Sequence, residues 1–336
     1  MKNIFKYSIL LLVISFAGFS SPALIAKTIK IATLSPDGTF WMQQMRAGAE
    51  EIKEKTQGRV VFKYYPGGVM GNDDNVLRKI RIGQLHGGAI AIGSLSQLTP
   101  DVTIYGLPFL FTSHDEAERI RKVTDPMLSK LIDNSGFVCF GIAQGGFTYL
   151  MSKEPVNSFD DLRHQKSWIP ENSDVGLSVY RNVGITPISL PLSDVLTGLQ
   201  TGLINTVITS PIAALALQWH TYVNYAVDLP LNYLAATMIV DKNVFIKLSE
   251  ADQQTVREVM TKVYKTIDAQ NKIDSEAARE ALINQGVKFV KLNVKEKPEW
   301  IKLGDLVINE MINKYNYNKE LYQAVMVNKT DAPELH

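Results

Sequence analysis

Cysteine is all but missing: Cys139 is the only one in 336 residues. That excludes an internal disulfide and any multi-cysteine metal site. Cys139 stands in the apolar run Phe137-Val138-Cys139-Phe140 and is expected as a buried, inert thiol. An excess of either charge is missing too. With 35 basic against 34 acidic side chains and no basic block, the chain is not built to hold nucleic acid. The five histidines, His86, His114, His164, His220 and His336, lie far apart, without the spacing of a metal site. Neither a Gly-x-Ser-x-Gly elbow nor a Walker loop occurs; Gly67-Gly68 runs into Val69-Met70 instead of the lysine that a phosphate cradle needs. Asp73-Asp74 and Asp160-Asp161 read as solvated carboxylates at helix starts, where they complement the dipole. No catalytic residue, cofactor or metal is expected, and the chain does not read as an enzyme. Beyond the N-terminus no apolar run is long enough to cross a bilayer, which takes about 20 residues.

What is present is a folding composition, 46% hydrophobic and 21% charged, with a length that suggests about two domains. Lys2 and Lys6 precede an apolar stretch from Tyr7 to Phe19 and the small residues Ser20-Ser21-Pro22-Ala23 and Ala26. This is the layout of a secretory signal peptide over residues 1–26, cleaved after Ala23 or after Ala26. With no cysteine nearby, a lipoprotein anchor is excluded. Removing the two lysines takes the formal charge from +1 to −1. The mature protein is expected free in the periplasm.

Thr28 to Leu34 and Val60 to Tyr64 read as strands, and Met42, Met45, Ala49 and Ile52 fall at helical spacing between them. Val76, Leu77 and Ile80 mark a second helix, ended by Gly83, and Gly88 to Ile92 a buried strand. Strands alternating with helices imply a parallel sheet with helices on its faces. Ser113-His114-Asp115-Glu116 is a capping box opening a helix through Val123, and Ser158-Phe159-Asp160-Asp161 repeats it. A strand is expected near Val138 to Ile142 and another at Val207-Ile208. Ser193 reads as the cap of a helix through Leu199, and Ser210-Pro211 as a cap followed by proline in the first turn. Between Ser249 and Asn284 there is neither glycine nor proline. At 1.5 Å per residue that is a helix of about 50 Å, long enough to cross between lobes. Thr266, Gln270 and Glu280 interrupt any heptad seam, which disfavours a coiled coil. Pro298 to about Tyr315 reads as the final helix.

Taken in order, several motifs resemble one family. They are Thr56-Gln57-Gly58-Arg59-Val60, Tyr65-Pro66-Gly67-Gly68-Val69-Met70-Gly71, Ile82-Gly83-Gln84-Leu85, Gly106-Leu107-Pro108-Phe109-Leu110-Phe111, Asp160-Asp161-Leu162 and Leu199-Gln200-Thr201-Gly202. Together they look like a TRAP-transporter solute-binding protein of the DctP type, over essentially the whole mature chain. The resemblance implies a type II periplasmic binding protein: two α/β lobes around a cleft, with the long helix spanning both. It places residues 27–147 plus about 235–265 in one lobe, and 148–234 plus about 266–336 in the other. It implies a small organic solute captured by lobe closure, and membrane permease subunits driven by an ion gradient.

The chain departs from the family where selectivity is set. Members similar to it bind carboxylates through an arginine in a segment of the form Leu-Lys-Gly-x-Lys-x-Arg-x-Pro. Here Leu162-Arg163-His164-Gln165-Lys166-Ser167-Trp168-Ile169-Pro170 puts Trp168 at that position. A guanidinium offers a bidentate fork, an indole one N–H and an apolar face. A second family arginine falls near Thr148, after Phe147, and a family amide near Ser210. Ala91 stands where an acid can occur, and Phe40 and Trp41 follow the first strand. The expected site is therefore Trp168, Thr148, Ser210, Phe40, Trp41 and Phe147, with Lys166 as the adjacent charge. It suits a neutral or hydrophobic solute. The alternative is a carboxylate bound through another cation, Lys166 or Arg181, or a periplasmic interaction protein with a degenerate cleft. Trp219 and His220 read as structural or surface residues. The variant with this tryptophan resembles receptors that work with a tetratricopeptide-type periplasmic partner.

Overall fold

The computed structural model describes residues 26–293 and 295–329; residues 1–25, which carry the expected export signal, lie outside the described residues. The strands are β1 (Lys27–Thr33), β2 (Val60–Tyr65), β3 (Gly87–Ala91), β4 (Phe137–Phe147), β5 (Tyr149–Ser152), β6 (Trp168–Ile169), β7 (Ile188–Ser189), β8 (Thr206–Thr209), β9 (Tyr225–Val227), β10 (Tyr233–Asp241) and β11 (Lys288–Val290). The helices are α1 (Phe40–Lys55), α2 (Asp73–Arg81), α3 (His114–Asn134), α4 (Phe159–Arg163), α5 (Asp174–Val183), α6 (Val195–Thr201), α7 (Pro211–Ala216), α8 (Lys242–Phe245), α9 (Glu250–Asn284), α10 (Lys297–Tyr315) and α11 (Lys319–Asn328). No helix among the described residues is long and apolar enough to cross a membrane.

Two sheets organise two lobes. The first has the order β2-β1-β3-β10-β4, the second β11-β9-β5-β8. The expected parallel order holds for β2-β1-β3, but β10 runs antiparallel to both β3 and β4. The reason is topological. β4 ends in the first sheet at Phe147 and β5 begins the second at Tyr149; the return from β9 to β10 brings the chain back in the opposite sense. The two crossings are tied to each other. Thr148 N–H donates to Asn232 O at 2.9 Å, Leu231 N–H donates to Thr148 O at 2.9 Å, and the Thr148 hydroxyl donates to the Asn232 side-chain oxygen.

The long helix α9 links the lobes. Ser249 caps it, its side chain accepting from Asp252 N–H. Its first half packs Val256, Val259, Met260 and Val263 into the core that holds Met42, Met45, Ala49 and Ile52 of α1. Gly48 permits that approach: a Cβ there would lie 2.6 Å from Val263 Cγ2. Further on, Asn271 Nδ2 donates to Gln144 O at 2.5 Å, and Leu282 is buried in the second lobe's core with Met151 and Val207.

Three boundaries differ from the sequence reading. α3 continues past Val123 and through Pro126 to Asn134, because Leu128 and Ile132 are fully buried and packing outweighs the lost N–H. Ser193 does not cap α6; that start is Asp194, with no side-chain cap. α10 is not last: α11 follows, burying Leu321 and Val325 and packing on α3, where Arg119 Nε donates to Asn328 O at 3.0 Å. α11 thus sits beside the first sheet, whereas α10 packs on α5.

Candidate functional site

A cavity of about 920 Å³ opens between the lobes. The first lobe contributes the C-terminal ends of β1 and β3 and the start of α1; the second contributes β6, the β8–α7 junction and α5; Thr148 and Asn232 of the crossings and Asn271 of α9 complete it. Strand ends facing a cleft are where open α/β sheets place ligands.

Five of the expected residues, Phe40, Trp41, Thr148, Trp168 and Ser210, line this cavity. The details constrain what each can do. Trp168 is 3% exposed and stands edge-on to Trp219, with ring centroids 5.3 Å apart and planes at 79°. Its Nε1–H donates to Leu190 O at 2.9 Å. The one donor credited to the indole is therefore committed to the protein, and what Trp168 offers a solute is apolar surface. Ser210 caps α7, its Oγ accepting from Ala213 N–H at 3.3 Å. Thr148 is engaged with Asn232 across the crossings. Trp41 packs edge-on against Tyr264, 5.9 Å away.

Two expected residues lie elsewhere. Phe147 is buried in the first lobe's core, edge-on to His114 at 4.9 Å and Tyr233 at 5.1 Å. Phe147 is the last residue of β4 and pairs with Tyr233 of the first sheet, whereas Thr148 lies in the crossing between the sheets. Lys166 is exposed, and its Nζ donates to Gly202 O at 2.9 Å. Arg181, the other cation considered, donates to Glu310 Oε2 at 2.6 Å. Neither cation is among the lining residues.

The charge pattern is one-sided. Among the described residues that line the cavity none is Lys, Arg or His, while Asp73, Asp74, Glu171, Asp174 and Asp274 are acidic. Asp174 is paired with Lys314 at 2.7 Å, and Asp274 accepts from Gln270 Nε2 at 2.8 Å. Asp74 and Glu171 form a reciprocal pair of bridges between the lobes: Asn172 Nδ2 donates to Asp74 Oδ2 at 2.6 Å, and Asn72 Nδ2 donates to Glu171 Oε2.

Asp73 corrects the sequence reading. It is not a solvated helix-start carboxylate but 8% exposed. Its Oδ2 accepts from Ala91 N–H at 3.2 Å and from Ser94 Oγ at 2.9 Å, while Oδ1 is buried without a partner. Burial pushes its carboxyl up to about 6, against the pull of those two donors. Trp219, read from the sequence as structural or surface, is a core residue, 1% exposed, that also lines the cavity beside Trp168. Its position after a short helix gave no period from which burial could be read. Among the described residues no group of three or more His, Cys, Asp or Glu is placed to hold a metal ion.

Comparison with known proteins adds the following. The family model described as DctP, bacterial extracellular solute-binding protein, family 7, matches residues 31–315. A Salmonella typhimurium protein, YiiZ, is 25% identical over 160 residues, which are 46% of this chain and 48% of that one; here the chain spans about half the relative's length. The sialic acid-binding periplasmic protein SiaP of Vibrio cholerae is 23% identical over 270 residues, 78% of this chain and 81% of SiaP. The crystal structure of DctP7, a Bordetella pertussis extracytoplasmic solute receptor binding pyroglutamic acid, superposes with a TM-score of 0.82 at 21% identity, covering 91% of this chain and 100% of the other.

Proposed function

The chain belongs to family 7 of the bacterial extracellular solute-binding proteins, the DctP family, and from that premise we propose that it captures a neutral or largely apolar small organic molecule. The family consists of solute-binding receptors, not enzymes. In this reading the mature protein works in the periplasm as the receptor of a TRAP-type transporter driven by an ion gradient. It closes its lobes about the crossings near Thr148 and Asn232 and delivers the solute to membrane permease subunits. A tetratricopeptide-type periplasmic partner is part of the same proposal, and rests on the resemblance of the Trp168 variant alone.

One observation carries the choice of solute: no Lys, Arg or His stands among the described lining residues. A carboxylate moved from water into such a site keeps its desolvation cost and gains no cation. Tryptophans 168 and 219 and the aromatic pair at the start of α1 supply apolar wall instead. The contrary reading, a carboxylate, draws on the relatives, since the sialic acid and pyroglutamic acid of SiaP and DctP7 are acids. It would require Lys166 or Arg181 to abandon its present partner and turn inward. Thermal-shift titration with matched pairs, indole against indole-3-acetate and decanol against decanoate, tests the reading. It expects the neutral member of each pair to stabilise the protein more; a larger shift from both acids refutes it.

A further inference from the structure

We propose that the solute carries a hydrogen-bond donor with positive charge, an ammonium group on an apolar body, and that Asp73 is the residue that receives it. This deepens the reading of an apolar cavity and rests on it. The inference starts from an isolated buried carboxylate. Asp73 is the first residue of α2, lines the cavity, and is held in place by Ala91 N–H and the Ser94 hydroxyl on one oxygen only. The other oxygen has no partner. A buried acceptor without a donor costs free energy, more so when charged.

Among the described residues no cation is bonded to Asp73. On the same turn the neighbouring charge is Asp74, and Glu171 stands across the bridge from Asn72. β3 and the turn after it contribute only the Ala91 amide and the Ser94 hydroxyl. Of the three cations on α2, Arg78 Nη2 donates to Asn75 Oδ1 at 2.7 Å, Lys79 Nζ to Met70 O at 2.9 Å, and Arg81 is exposed at the far end of the helix. None of these groups brings a donor to the free Asp73 oxygen, and an ammonium is the group that would satisfy it. An ammonium brought in on an apolar solute would form a charge-assisted bond in a site of low dielectric, and the carboxyl, already pushed up to about 6 by burial, would be held ionised by it.

Isothermal titration of the full mature protein with decylamine, decanol and decanoate, each below its micelle concentration and at about pH 8, tests this. The amine is expected to bind about tenfold or more tighter than the alcohol, and the acid weakest. Asp73→Asn keeps the size and an oxygen for the two donors; it should reduce the amine-to-alcohol ratio to within about threefold and leave the alcohol's Kd within about threefold. Asp160→Asn, an exposed helix-start acid outside the cavity, should leave that ratio within about threefold of the parent. Lowering the pH to about 5 should reduce the ratio in the parent and not in Asp73→Asn. Equal binding of amine and alcohol, or a ratio unchanged by Asp73→Asn, overturns the assignment of Asp73 while leaving the apolar cavity standing. Binding of none of the three, or of decanoate most tightly, overturns the apolar reading beneath it.

Discussion

Replacing Asp73 by asparagine is expected to stabilise the ligand-free protein at neutral pH and to do nothing comparable in acid. The carboxyl is raised from 3.8 to about 6 in the folded chain, chiefly by burial. Between about pH 4 and pH 6 the folded state therefore holds a proton that the unfolded state has released. Folding stability then falls as the pH rises through this window and levels off above it. Raising the carboxyl from 3.8 to about 6, at about 1.36 kcal/mol per pH unit, gives about 3 kcal/mol as the upper bound of the loss. Asparagine keeps an acceptor for Ala91 N–H and Ser94 Oγ but gives up an anion at the first turn of α2, worth about 0.3–1 kcal/mol. The net gain expected near pH 7.5 is about 2 kcal/mol, and near pH 4, where the folded carboxyl is already neutral, about zero. Urea unfolding of both proteins at the two pH values measures it. A difference that is the same at both would refute the isolated buried charge, and with it the reasoning about what a solute must bring.

Three further perturbations follow from the packing. Trp168→Ala removes one half of the edge-on pair with Trp219 and opens the cavity wall; it should cost about 3–5 kcal/mol of stability and weaken the solute strongly, whereas Trp168→Phe should keep most of both. Calorimetric titration of the two variants checks this, and unchanged affinity in Trp168→Ala would remove the residue from the site. Glu171→Ala takes away one inter-lobe bridge while leaving the Asn72 cap of α2 intact; stopped-flow release of the solute should quicken by about two- to fivefold. Gly48→Ala pushes a methyl against Val263 where α1 meets α9, and should lower stability by about 1–3 kcal/mol in urea unfolding with little effect on binding.

The fold was largely legible because its signals are local. Ser158 makes the expected capping box with Asp161, Gly202 closes α6 in the left-handed conformation that glycine tolerates, and the glycine- and proline-free run from Glu250 to Asn284 is one helix. What escaped depends on distant chain. The antiparallel sense of β10 follows from the return crossing, and α11 owes its place to α3 rather than to its own pattern. At the site, Trp168 lines the cavity, but the sequence could not show that Leu190 takes its N–H. Asp73 looked like any helix-start acid because its burial comes from Ala91 and Ser94, which lie 18 and 21 residues on. Phe147 closes β4 inside the first lobe's core and only Thr148, in the crossing, lines the cavity, a difference set by where the strand ends.

The central claim, that a site without a lining cation takes an uncharged or cationic apolar solute, is tested most directly by what the protein carries from its own cell. Mature protein isolated without dialysis, measured by non-denaturing mass spectrometry and then unfolded to release its cargo, should yield a compound with apolar carbon and either no charge or an amine. Release of a sugar acid or a small carboxylic acid at one equivalent per chain would contradict the account and return Lys166 and Arg181 to the site.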